Sequence, residues 1–127
     1  MSVIEGFREL IRALRGENGC PWDKKQTLQT LAPYIIEEAR EVAEAVASGS
    51  DADVCEELGD VMLIVTMMSQ VAEEQGRFTF EDCLKGISEK IVRRHPHVFG
   101  GAHVDSEQEI IDNWHKIKEL EKKGAGK

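Results

Sequence analysis

Two acidic strings, separated by a short polar stretch, most constrain how this chain can fold. Each string carries two carboxylates three residues apart: Glu38 and Glu41 in the first, Glu57 and Asp60 in the second. On a helix this spacing aims both side chains of a pair the same way. Between the strings, residues 48–51 read Ser-Gly-Ser-Asp, which suits a turn. The pattern predicts two antiparallel helices whose carboxylate pairs face each other.

The helical positions of the four carboxylates favour a bound cation. Each pair lies on a helical stripe that is otherwise apolar, and a carboxylate drawn toward a core is destabilising unless it is paired or bound to metal. Four carboxylates without histidine favour Mg²⁺ or Mn²⁺ over iron or zinc. Neutralisation by Lys or Arg elsewhere in the chain is the alternative. The apolar members of the two stripes are Tyr34, Ile35, Val42 and Ala45 in the first and Val61, Ile64, Met68 and Val71 in the second.

Net charge and hydropathy limit the partners of this chain. Its 127 residues include 16 Lys and Arg against 24 Asp and Glu, for a formal charge of −8. We therefore expect neither nucleic acid nor a membrane as a partner, and an anionic substrate would need a bridging cation. The longest apolar run, residues 61–68, is too short to span a bilayer, and the first six residues lack a signal-peptide pattern. These features predict a cytoplasmic protein.

Apolar periodicity and capping signals predict an all-α bundle of about five helices. No segment alternates apolar and polar residues over the length of a strand. Pro33 suits the first turn of the second helix, and residues 16–26 are expected to form a loop. We expect one domain over residues 1–123 and a flexible tail over 124–127. The five helices are expected over residues 3–15, from about Pro33 to 47, 51–75, from the cap at Thr79 to 94, and from the cap at Ser106 to about 123.

The third predicted helix is apolar on almost every side over residues 61–68. A helix with this pattern is buried all round. A small five-helix domain has difficulty covering one of its helices completely. The sequence therefore favours a homodimer or a higher homo-oligomer, with this helix near the centre.

Basic residues on the fourth predicted helix are candidates for binding phosphate. Lys90 and Arg94 lie four residues apart and hence on one helix face. The alternative is a solvated basic end that complements the helix C-terminus. Just beyond, His95 and His97 are expected on an extended turn, in capping or surface roles.

Two tryptophans are candidates for contacts with a ligand. Trp114 on the last helix has Lys118 one turn further on, so the pair could hold a base and a phosphate at the edge of a pocket. A core position for Trp114 is the alternative. Trp22 lies in the loop string Cys-Pro-Trp-Asp, where a ligand platform competes with simple packing.

Together these strings resemble a known family. Glu-Glu-x-x-Glu at residues 37–41, followed by Glu-x-x-Asp at 57–60, resembles the all-α nucleoside triphosphate pyrophosphohydrolases. The string at residues 20–23, with residues 93–100, is similar to the MazG branch, and the resemblance extends to Lys122. It implies a dimeric all-α fold with a four-helix MazG-like core. It also implies Mg²⁺-dependent hydrolysis of a nucleoside triphosphate to the monophosphate and pyrophosphate, as in nucleotide-pool house-cleaning.

The resemblance also implies roles for individual residues. By motif position, the metal would be held by Glu38, Glu41, Glu57 and Asp60. Lys90 and Arg94 would bind the phosphates, and Trp114 with Lys118 would border the nucleotide. Trp22 is a further candidate for contact with the substrate. Attack at the α-phosphate needs an activated water, and Glu37 is the candidate to orient or deprotonate it, with Glu38 as the competitor. Two alternatives stay open: a noncatalytic dimerisation or regulatory half of a two-domain MazG protein, and a phosphoribosyl-ATP pyrophosphohydrolase.

Overall fold

A computed structural model of the chain describes residues 1–125. Over that range it contains helices and no strand, which confirms the all-α prediction. In chain order the helices are α1 (Val3–Leu14), α2 (Pro21–Lys24), α3 (Leu28–Ser48), α4 (Asp51–Glu74), α5 (Phe80–Arg94), α6 (Pro96–Phe99) and α7 (Glu107–Ala125). The five long helices correspond to the five predicted ones, and α2 and α6 are additional single turns. Of the expected tail, 124 and 125 lie in α7, and 126–127 lie outside the described residues.

The chain divides into two compact units, Met1–Phe80 and Glu81–Lys127. The first unit contains α1 to α4, and the second contains α5 from its second residue onward, with α6 and α7. The single domain expected over residues 1–123 stays a prediction.

In the first unit, α3 and α4 form a helical hairpin with a two-residue turn at the predicted position. Gly49 is the residue directly after α3, and its backbone lies close to the last turn of that helix. A Cβ at this position would lie 2.8 Å from the Ala45 carbonyl oxygen, so glycine is required here. Ser50 caps α4, since its hydroxyl accepts from the Asp53 N–H and the Asp53 carboxylate accepts from the Ser50 N–H. At the other end of α4, Gly76 adopts a positive φ of 68°, which ends the helix. The hairpin therefore follows from local capping and turn chemistry.

The core of the first unit joins three helices. Ile11 of α1, Leu31 of α3, and Met67 and Val71 of α4 are buried against one another. Burying aliphatic side chains of this size stabilises a fold by about 1.5–3 kcal/mol each. This cluster fixes α1 and α3 on α4.

Arg15, directly after α1, ties this core to the segment that precedes α3. Its side chain is only 8% exposed. It donates to both carboxylate oxygens of Glu74, each at 2.9 Å, and to the carbonyl oxygens of Asp23 and Gln26. The expected loop over residues 16–26 is thus an ordered segment that contains α2, because one buried guanidinium satisfies its carbonyls.

Two local predictions were wrong. Pro33 lies inside α3, not in its first turn, because Thr27 caps the helix six residues earlier in a capping box with Thr30. The capped start outweighs the backbone hydrogen bond that proline removes. The extended turn expected around His97 is the short helix α6, since Pro96 has a φ suited to a first helical turn.

Residues 61–68 of α4 are buried on one side only within this chain. Ile64 and Met67 are buried, whereas Met62 is 61% and Val65 46% exposed. Burial on all sides is therefore not achieved by one copy of the chain, and the homodimer stays a prediction. None of the described helices combines the length and apolar character that a membrane span requires.

Candidate metal and nucleotide site

The α3–α4 hairpin brings the four predicted carboxylates together. Glu38 and Glu41 project from α3, and Glu57 and Asp60 from α4. Each supplies one oxygen, and these four oxygens lie within 4.8 Å of one another. All four residues are half-buried. The three-residue spacing on two adjacent helices produces this cluster, which we call the acidic cluster.

Crowding in the acidic cluster disfavours full ionisation. The pKa of Glu38 is raised to about 7. Burial is the largest cause, followed by the hydrogen bond with Glu41 and by the negative charges of Glu41, Asp60 and Glu57. Burial, and after it the hydrogen bond that the protonated Glu57 carboxyl makes with Glu41, likewise raise the pKa of Glu57. Without a counter-charge, the four carboxylates repel one another at neutral pH.

No protein cation supplies that counter-charge among the described residues. The ion pairs found among the described residues join arginine, histidine or lysine to other carboxylates, such as Glu74 and Glu121. Glu38 Oε2 and Glu57 Oε2 are also buried without a hydrogen-bond partner. A buried, unpartnered carboxylate oxygen is unfavourable, and coordination to a divalent cation would satisfy it. A set of four carboxylate oxygens suits a hard cation such as Mg²⁺ or Mn²⁺. The residues present therefore fit the implied metal.

An open groove of about 300 Å³ adjoins the acidic cluster. Glu41 and Glu57 form part of its wall, together with Glu44 and Asp53. A phosphate group that enters a groove with this wall meets negative charge. An anionic ligand therefore requires a cation at the cluster, in agreement with the charge argument from the sequence.

The two proposed water-activating residues occupy different surroundings. Glu38 belongs to the acidic cluster and has an unpartnered oxygen. Glu37 is exposed and is not among the four residues of the cluster. Glu38 is thus one of the residues of the candidate metal site, whereas Glu37 lies outside the set of four.

Trp22 forms an aromatic pair near this helix hairpin. Its ring meets the Tyr34 ring edge-on, with 5.8 Å between centroids, and its side chain is 45% exposed. Tyr34 precedes Glu38 by one turn of α3. The Trp22 carbonyl oxygen accepts from the buried Gln26 amide, and Arg15 holds the neighbouring carbonyl of Asp23. Trp22 is therefore a half-open aromatic surface on a fixed backbone, which leaves both sequence interpretations open.

In the second unit, α5 and α7 bring Arg94 and Trp114 together. The Arg94 guanidinium lies over the Trp114 ring, 5.0 Å from its centroid, and the ring of His95 meets Trp114 edge-on at 5.4 Å. Arg94 is only 13% exposed, so the interpretation of a solvated basic end does not hold for it. Lys90 and Lys118 are exposed. Of the predicted substrate residues in this unit, one arginine and one tryptophan are in contact.

Glu121 is the residue of this arrangement that the sequence analysis missed. Its carboxylate accepts from Arg93 and Arg94, with 2.7 Å between Arg94 Nη2 and Glu121 Oε1. These hydrogen bonds, from Arg94 first and then Arg93, lower the pKa of Glu121 to about 2. Glu121 follows Trp114 by seven residues and Lys118 by three, so it lies on the stripe already singled out. That spacing is the signal in the sequence by which Glu121 could have been found.

Comparison with known proteins places this geometry in a family. Residues 26–99, more than half of the chain, match the profile of the MazG nucleotide pyrophosphohydrolase domain. The chain is 43% identical over 123 residues to the nucleoside triphosphate pyrophosphohydrolase of Escherichia coli K12, covering 96% of this chain and 47% of that protein. It is 53% identical over 116 residues to the uncharacterized protein YabN of Bacillus subtilis, covering 91% of this chain and 24% of that protein. The chain thus spans about a quarter to a half of these curated relatives.

A solved structure matches over nearly its whole length. The crystal structure of a MazG-related protein from Thermotoga maritima superposes with a TM-score of 0.74 at 31% sequence identity. The match covers 92% of this chain and 99% of that one. The likeness therefore extends to both fold and sequence.

Proposed function

Because the chain belongs to the MazG nucleotide pyrophosphohydrolase family, we propose that it hydrolyses nucleoside triphosphates to the monophosphate and pyrophosphate. The observation that carries the proposal is the acidic cluster, with two buried carboxylate oxygens that lack partners. The E. coli relative is named for the same reaction, and this chain matches about half of it. The proposed role is removal of nucleotides from the cellular pool.

We assign Mg²⁺, with Mn²⁺ as a substitute, to Glu38, Glu41, Glu57 and Asp60. When bound, the cation makes water more acidic and offsets the charge that develops on the pyrophosphate leaving group. The contribution of the chain is to hold four oxygens from two rigid helices at one point. Glu38, from its position in the cluster, is our preferred residue for orienting or deprotonating water, and the exposed Glu37 is the competitor.

Substrate binding is assigned to aromatic and basic side chains. Lys90 and Arg94 offer charge to the phosphates, and Trp114 with Lys118 borders the nucleotide. Trp22, half-open and paired with Tyr34, offers a face on which a base can stack. These roles rest on the resemblance at the motif positions and on the ring contacts of Trp22 and Trp114.

A homodimer through α4 is part of the proposal. Leu58, Met62 and Val65 are exposed apolar side chains of this helix, and an open apolar groove of about 460 Å³ lies along the residues from Val54 to Met62. A second copy would cover this face with its own α4, which accounts for the apolar pattern of residues 61–68. The cytoplasmic location and the absence of nucleic-acid and membrane partners remain predictions of the sequence.

The test is the identity of the products. Phosphorus NMR of a reaction with Mg²⁺ and a panel of ribo- and deoxyribonucleoside triphosphates should show the monophosphate and intact pyrophosphate. Glu57→Gln should abolish turnover, whereas Glu9→Gln, which changes an exposed acid of α1, should leave it unchanged. Orthophosphate and the diphosphate as first products would refute the proposal.

The same panel, extended by phosphoribosyl-ATP, separates the two alternatives. Phosphoribosyl-ATP as the preferred substrate would identify the related pyrophosphohydrolase, which shares the acidic motif and the chemistry. Absence of turnover with every substrate, in a protein that is folded and dimeric, would favour the noncatalytic half of a longer protein.

A further inference from the structure

Arg94 of α5 is held in place from α7 by Glu121. The Glu121 carboxylate accepts from Nε and Nη2 of Arg94, with Nη2–Oε1 and Nε–Oε1 distances of 2.7 and 3.2 Å. Both contacting donors lie on one edge of the guanidinium. The same guanidinium lies over the Trp114 ring of α7, with Cζ 5.0 Å from the ring centroid. Both Glu121 and Trp114 of α7 therefore hold Arg94.

The end edge of Arg94 is formed by Nη1 and the second N–H of Nη2. None of these N–H groups has an acceptor among the residues that the structure describes. One N–H of Nη1 and the second N–H of Nη2 point the same way from the end of the guanidinium, so they remain available as a pair of donors. Paired donors at the edge of a planar guanidinium suit the oxygens of a phosphate group.

We propose that Glu121 is a positioning residue that fixes Arg94 so that its Nη1–Nη2 edge is presented to the phosphates of the substrate. The inference rests on the proposed function, since it takes a nucleoside triphosphate as the ligand of Arg94. Glu121 itself touches no phosphate, and it acts by restricting the rotation of a long side chain that would otherwise lose more entropy on binding.

The alternative is that Glu121 competes with phosphate for Arg94. Two observations argue against competition. Glu121 uses only two of the five N–H groups of Arg94, and the group of Arg93, Arg94 and Glu121 retains a net positive charge. Lys90, one turn earlier on α5, adds an exposed ammonium group on the same face as Arg94.

Substitution of Glu121 by alanine and by glutamine separates orientation from charge. The amide side chain of the Glu121→Gln variant would keep an oxygen that accepts from both Nε and Nη2 of Arg94, but it would remove the negative charge and the bond to Arg93. If orientation matters, Glu121→Ala should raise KM about tenfold with kcat within about twofold of the wild type. Glu121→Gln should keep KM within about threefold. In an Arg94→Ala background, Glu121→Ala should have no further effect on KM, because there is no guanidinium left to orient.

Binding of inorganic pyrophosphate, measured by calorimetry with Mg²⁺, gives a second readout that does not depend on turnover. The pyrophosphate Kd of the variants should follow the same order as KM. If the wild type hydrolyses no nucleotide but this order persists, the proposed function fails and the role of Glu121 stands. If the wild type is active but Glu121→Ala binds pyrophosphate with the same Kd as the wild type, the role of Glu121 is refuted and the function stands.

Three other results would overturn the proposal. A lower KM in both variants would identify Glu121 as a competitor for phosphate. A glutamine variant as weak as the alanine variant would mean that negative charge, not orientation, is required. An equal rise of KM caused by Glu121→Ala with and without Arg94 would mean that Glu121 does not act through Arg94. Should Glu121→Ala fail to fold, the glutamine variant still decides between orientation, for which KM stays within about threefold of the wild type, and competition, for which KM falls.

Discussion

Replacement of Glu38 by glutamine should stabilise the metal-free protein at alkaline pH. Glu38 is half-buried in the acidic cluster, and burial together with Glu41, Asp60 and Glu57 raises its pKa from 4.5 to about 7. A group whose folded-state pKa is raised adds stability that is fully present below about pH 4.5 and is lost as the pH rises through about 7. At about pH 8, the ionised Glu38 therefore destabilises the folded state relative to a neutral amide of the same shape.

The size of this effect follows from the pKa shift. At about 1.4 kcal/mol per pKa unit, the rise from 4.5 to about 7 corresponds to an upper limit of about 3.5 kcal/mol. Glu38 is partly exposed, so water screens its interactions with the neighbouring carboxylates. We therefore expect Glu38→Gln to gain about 1–2 kcal/mol in the free energy of unfolding at about pH 8. The gain should shrink at about pH 5.5, where the wild-type carboxyl is already mostly protonated.

Urea unfolding in the presence of EDTA, at about pH 8 and pH 5.5, measures this difference. Glu9→Gln is the matched control, because it removes an exposed carboxylate of α1 outside the acidic cluster. Mg²⁺ at about pH 8 should reverse the order, since a cation that binds only the folded wild type stabilises it by mass action. A metal-free Glu38→Gln protein less stable than the wild type at about pH 8 would refute the reasoning, as would parallel pH profiles of the two proteins.

Three further outcomes are expected. Glu74→Gln should lower the free energy of unfolding by about 1–3 kcal/mol at neutral pH in urea titrations, because it removes the charge that pairs with the buried Arg15. Arg15 lowers the pKa of Glu74. The difference in the free energy of unfolding between this variant and the wild type is therefore present above the ordinary pKa of a glutamate, and it fades as the pH falls through the lowered pKa of Glu74. Met62→Asp should convert a dimer into a monomer in sedimentation equilibrium. Lys90→Ala should chiefly raise KM, whereas Glu38→Gln should chiefly lower kcat, in steady-state pyrophosphate release assays.

Each of these predictions has a matched control on the same or a neighbouring helix. Glu73→Gln changes the residue before Glu74, and its stability should match the wild type. Val46→Asp places a charge at an exposed site of α3 instead of α4, and it should leave the oligomeric state unchanged. Lys85→Ala removes another exposed lysine of α5 and should not affect KM. A wild-type protein that is monomeric at micromolar concentration would contradict the dimer, and a Lys90→Ala variant with reduced kcat and unchanged KM would contradict a binding role.

The long helices and the acidic cluster could be predicted from the sequence because they depend on neighbours in the chain. The turn at Gly49 and Ser50 and the cap of α4 are settled within a few residues. The carboxylate pairs meet because a three-residue spacing on each helix of a hairpin aims both pairs the same way. Local chemistry of this kind specifies elements and faces without knowledge of distant contacts.

Contacts between residues distant in sequence were decided only by the tertiary structure. Arg15 and Glu74 lie 59 residues apart, and Arg94 and Glu121 lie 27 apart. Neither pair has a periodic signature, because any surface carboxylate of an acidic chain could have been the partner. The segment that contains Trp22 is ordered by the buried Arg15. From the sequence alone it could therefore not be distinguished from an open loop. The sequence by itself determined which side chains share a helix face, and packing between helices selected which of them touch, because that selection depends on distances that spacing along one chain does not specify.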